Sequence, residues 1–159
     1  MTIKEFYEKY GNVELTEEQE KHIKECLNIK EKWKPKKDEI FYFINTCGEI
    51  FKDVNNKFKI FTNNCFKTEE EAEFRLEQIK VYNELKNFAD ENNKEIDLND
   101  CKVEKYIIEY DLENKVLYCD WYTTVKSIGQ IYFSSRELAE QAIEKIGDDR
   151  IKKYLFGVE

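Results

Sequence analysis

The chain has 159 residues, with 34 Asp and Glu against 26 Lys and Arg, for a formal charge of −8. That length suits one domain or two very small ones. The charge argues against direct nucleic-acid binding, because affinity for a phosphate backbone comes from Lys and Arg displacing counterions. Acidity keeps a protein soluble, and it can also steer the protein toward a basic partner.

The first thirty-two residues read as a helical arm. Thr2 with Glu5 and Thr16 with Gln19 have capping-box spacing. Gly11 separates the two helices, and the second presents an acidic side with Glu17, Glu18, Glu20 and Glu25. Five cysteines are scattered without a Cys-x-x-Cys pair, and no segment resembles a cleavable signal. Reduced thiols in a cytoplasmic protein are therefore expected. No run is long and apolar enough to span a membrane.

A joint follows at Glu31–Asp38, around the chain's one proline, Pro35. Proline cannot continue a helix and pushes the residue before it into extended backbone. Lys30, Lys32, Lys34, Lys36 and Lys37 with Trp33 make the most basic patch of the chain. It is either a nucleic-acid or scaffold contact or a solvated linker whose Trp anchors on the core.

The first strand-and-helix unit is expected over 33–93. Residues 40–45 read as a buried strand, Thr46-Cys47-Gly48 as a turn, and Glu49–Asp53 as its partner. A third strand is expected over Phe58–Phe61. Thr68 with Glu71 then caps a long helix. Ala72, Leu76 and Ile79 share one side of it; Phe74, Val81, Leu85 and Phe88 lie near the other. A surface helix needs one apolar stripe, so this one is expected to be covered from two sides. Its exposed head carries Glu69, Glu70 and Glu73.

Residues 94–102 connect to a second unit, 103–159. Strands are expected over Val103–Tyr110, Val116–Tyr122 and Gln130–Phe133. Ser134 with Glu137 suggests the next cap, Gly147 a stop, and Asp148–Phe156 a short last helix opened by Asp148 and Asp149. Shifted by sixty-seven residues, Phe66-Lys67-Thr68 lies over Phe133-Ser134-Ser135, and Ala72-Glu73 over Ala139-Glu140. The expectation is an α+β fold: a helical arm, then two β-β-β-α units with antiparallel sheets related by an internal repeat.

Little chemistry can be assembled. His22 is the only histidine, which excludes a His-based zinc cluster or a Cys–His–Asp site. The five glycines form neither G-x-G nor a phosphate loop. Glu69, Glu70, Glu71 and Glu73 sit where acids complement a helix dipole. No catalytic residue, metal or cofactor is expected, and the protein reads as non-enzymatic.

Trp33-Lys34-Pro35, Phe41-Tyr42-Phe43-Ile44-Asn45, Gly48-Glu49-Ile50 and Asn64–Glu73 together resemble small accessory proteins of Firmicutes phages and prophages. These carry a W-x-P, an aromatic strand ending Ile-Asn, and a Phe-x-Thr-x-Glu-Glu-Ala-Glu helix start. The likeness covers roughly 30–90 and, more weakly, 104–156. It brings no catalytic residues. It implies a phage or mobile-element protein in a bacterial host cytoplasm that inhibits host defence in the manner of an anti-CRISPR protein. The implied partner is a defence nucleoprotein such as a CRISPR effector. Glu17, Glu18, Glu20, Glu25, Glu69, Glu70, Glu73, Asp148 and Asp149 would be the contacts. The alternative is an accessory nucleic-acid or scaffold binder working through Lys30–Lys37 and Trp33.

Overall fold

The computed structural model describes residues 16, 18, 33–54, 62 and 64–158. The chain divides into two compact units, Met1–Lys34 and Pro35–Glu159, and every element named below belongs to the second. The expected helical arm and the expected strand over 58–61 lie outside the described residues, apart from Thr16 and Glu18. What is described is α+β, with helices and two small antiparallel sheets.

β1 (Phe41–Ile44) pairs with β2 (Ile50–Asp53). Asn45 builds the turn between them: its Oδ1 accepts the amides of Cys47 and Glu49 at 2.9 and 2.8 Å. A short polar side chain bonding the backbone two residues on is the usual reason Asn stands in turns. Gly48 supplies the positive φ, 77°, that the turn requires. On the other edge of β1, Tyr42 and Phe66 exchange both main-chain hydrogen bonds at 2.9 Å. The Asn64 side-chain amide extends that contact by one rung, donating to the carbonyl of Ile44 and accepting its amide.

α1 (Glu69–Asn92) begins at Thr68, whose hydroxyl accepts the Glu71 amide at 3.3 Å. The Glu71 carboxylate reaches back to the amide of Lys67, one residue before the cap. The helix has two environments along its length. Its first half meets β1 and β2 through buried Ala72 and half-buried Leu76. Its second half buries Val81, Leu85, Phe88 and Ala89 against the second hairpin and the last helices. Ile79 and Phe74, expected among the covered residues, are both 38 % exposed.

β3 (Lys105–Asp111) and β4 (Val116–Tyr122) form the second hairpin, seven residues in register from Lys105 opposite Tyr122 to Asp111 opposite Val116. Asp111 organises its turn by accepting the amides of Glu113 and Asn114. The expected strand over Gln130–Phe133 is a single bridge: Tyr106 and Phe133 exchange both main-chain bonds, at 3.0 and 2.8 Å. Asn93, at the end of α1, holds this segment from its other side; its side-chain amide bonds the carbonyl of Tyr132 and the amide of Ser134 at 2.8 Å each.

α2 (Arg136–Ile146) is capped by Ser135, whose hydroxyl accepts the Leu138 amide. The expectation that Ser134 caps it is corrected: the Ser134 hydroxyl instead accepts the amide of Lys94 at 3.2 Å. α2 buries Ala139, Ala142 and Ile146, its one apolar stripe. Gly147 follows at φ 102°, then α3 (Asp148–Ile151) and a π-helical turn, Lys152–Phe156, closed by left-handed Gly157. Phe133 and Ile151, both almost wholly buried, sit at the centre of this half with Ile108 and Cys119.

Candidate functional site

The head of α1 and the end of the chain build a half-open cleft of about 510 Å³. α1 contributes Glu70, Glu73 and Glu77 with Lys80, because positions three and four apart share a helix face. Phe74 and Leu76 come from the same turns, Ile50 from the start of β2, and Lys153 with Tyr154 from the π-helical turn. The rings of Phe74 and Tyr154 meet at 5.2 Å. Lys153 Nζ stands 5.5 Å from the centre of the Tyr154 ring. A cation over an aromatic face is attracted by the ring quadrupole, so the chain's own lysine is a cation in the cleft that three carboxylates also line.

Two of those carboxylates, Glu70 and Glu77, are held below their ordinary values. The Glu70 carboxyl is held below its ordinary value first by its own main-chain amide at the helix N-terminus, then by the Thr68 hydroxyl. Glu77 is held down chiefly by its hydrogen bond with Lys80, and further by Arg150. Arg150 grips both oxygens of Glu84 at 2.9 and 3.1 Å and reaches Glu77 at 3.4 Å. That fork ties α3 to α1 and places the last residues beside the helix head.

Of the acids expected to contact a partner, Glu69, Glu70 and Glu73 are exposed on the first turns of α1. Asp149 is exposed at the start of α3, while Asp148 is ion-paired with Lys152. Glu70 and Glu73 line the cleft, whereas Glu69, Asp148 and Asp149 are not among its lining residues. Glu18 is exposed; Glu17, Glu20 and Glu25 lie outside the described residues. In the basic patch, Lys34, Lys36 and Lys37 are exposed and Trp33 is half-buried. Lys30 and Lys32 lie outside the described residues. Glu39 closes the turn beyond them by accepting the Lys36 amide at 2.7 Å.

Sequence reasoning missed Phe74, Glu77, Lys153 and Tyr154 as parts of one site. Phe74 reads as core by its spacing, and only its 38 % exposure marks it otherwise. A second, more apolar hollow of about 280 Å³ runs from Tyr82 and Leu85 to Leu155 and Phe156. Among the described residues, no group of three His, Cys, Asp or Glu side chains is placed to hold a metal ion. No helix among them is long and apolar enough to cross a membrane. Comparison with protein-family models, curated proteins and solved structures gave no match.

Proposed function

We propose that this chain is a non-enzymatic, protein-binding inhibitor from a phage or mobile element. It blocks a bacterial defence nucleoprotein, in the manner of an anti-CRISPR protein, by occluding a basic nucleic-acid-binding surface. The observation that carries the reading is the acid-lined cleft with its aromatic floor. Carboxylates fixed on a helix offer lysines and arginines the charge that a phosphate backbone would offer, and complementary potential speeds such an encounter. α1 is braced over both halves, so the acids are presented without a large ordering cost on binding. In the same reading, the two strand-and-helix units are an internal repeat. Each hairpin exchanges one pair of bonds with a Phe two residues before a hydroxyl cap, Phe66 before Thr68 and Phe133 before Ser135.

The test is capture from a bacterial lysate that contains a defence nucleoprotein, at low and high salt. The expected result is retention of a basic nucleoprotein or its nuclease, weakened by salt and abolished by the pair Glu70→Lys and Glu73→Lys. Lys34→Glu with Lys36→Glu should leave capture intact. Recovery of free DNA or RNA alone, lost on the lysine substitutions, overturns this reading and installs the basic patch as the working surface.

A further inference from the structure

Lys105 opens β3 and is 1 % exposed, the one buried charged residue among those described. None of its bonds goes to a carboxylate. Its Nζ donates to the main-chain carbonyls of Asp100 at 2.8 Å, Val103 at 3.0 Å and Thr123 at 2.9 Å. An ammonium has three donors and no acceptor, so every donor is used. A charge taken out of water is costly unless other groups replace its hydration shell, and rings of backbone carbonyls are one such replacement for a bare cation.

The three carbonyls come from two segments that are far apart in sequence. Asp100 and Val103 belong to the connection after α1; Thr123 begins the loop after β4. Lys126 Nζ adds a second stitch between the same segments, to Asn99 Oδ1 at 3.2 Å. Between them they hold the base of a loop whose tip is apolar and open, with Val125 47 % exposed and Ile128 fully exposed.

We propose that the carbonyls of Asp100, Val103 and Thr123 form a cation site in their own right. The Lys105 ammonium is its resident occupant, and the filled site fixes the 123–129 loop on the connection beneath it. The ligand class is a small monovalent cation, best one bearing N–H donors. This assignment is independent of the partner-binding cleft.

The test replaces the tethered cation by a free one in the full-length chain. Lys105→Ala should lower Tm by roughly 10 °C, because three buried acceptors lose their donor at once. Ammonium or methylammonium chloride should restore more than half of that loss. Tetramethylammonium chloride at equal ionic strength, having no N–H, should restore none. Lys105→Met, which fills the stem's space, should fall similarly without rescue. In the unsubstituted protein, acetic anhydride should label Lys105 at least about tenfold more slowly than the exposed Lys115, as burial of its ammonium requires. Equal rescue by tetramethylammonium, or no rescue by any salt, overturns the site.

Discussion

At the scale of single residues, polar side chains do work that the backbone leaves undone. Asn64 and Asn93 each present an amide to an extended segment, and Asn45 and Asp111 each wind a turn. The Glu109 carboxylate, on β3, accepts the hydroxyls of Tyr118 at 2.6 Å and Tyr122 at 3.2 Å. The hydrogen bond to Glu109 pushes the Tyr118 phenol up to about 12. An unfolded tyrosine ionises near 10. The folded value is the higher one, so the bond's contribution to stability is whole below pH 10 and is lost as pH rises toward about 12. The same carboxylate raises Tyr122, and Glu104 raises Tyr106. An ultraviolet titration of phenolate should show a late phase in which Tyr118 ionises, and Glu109→Ala should shrink that phase by releasing Tyr118 and Tyr122; a late phase unchanged by the substitution would assign it elsewhere.

At the scale of elements, much was legible beforehand. The aromatic run at 41–44 and the alternating 105–111 and 116–122 segments carry strand periodicity, and Thr68 announces α1. Other features were not legible, for physical reasons. Gln130–Phe133 has the composition of a strand, but only Phe133 finds a main-chain partner on Tyr106. Ser134 and Ser135 both suit a cap by residue type; in the fold the Ser134 hydroxyl accepts the amide of Lys94, a residue distant in sequence, and Ser135 takes the cap. Substitution separates their roles. Ser135→Ala should cost about 1 kcal/mol in a denaturant melt, and Ser134→Ala no more than about 0.5 kcal/mol. The reverse order would mean that α2 starts one residue earlier. The cleft was invisible in the sequence because its aromatic floor forms only when Phe74 meets a ring from the other end of the chain.

At the scale of the whole unit Pro35–Glu159, α1 is the spine. Its twenty-four residues run about 36 Å; the first hairpin buttresses one half, and α2 with the π-helical turn buttresses the other over a core that includes Ile108 and Cys119 of the second hairpin. The two halves should therefore unfold together. Phe133→Ala removes the largest ring at the centre of the second half and should cost about 3–5 kcal/mol. If α1 transmits that loss, the amides of Phe41–Ile44 lose hydrogen-exchange protection in step with those of β3 and β4. Protection of the first hairpin that outlasts the second would show two separate cooperative units.

The cleft has walls of unequal permanence. One is a long helix held along its whole length; the other is the final dozen residues, latched by the Arg150 guanidinium across Glu77 and Glu84. A peptidase that trimmed the protein back to Gly147 would carry off Lys153, Tyr154 and the latch together, leaving two neighbouring glutamates with their shared counter-charge gone. Such clipping would erase the recess and take Ile151 out of the core beneath the second hairpin, so the stretch 148–158 serves the pocket and the fold at once.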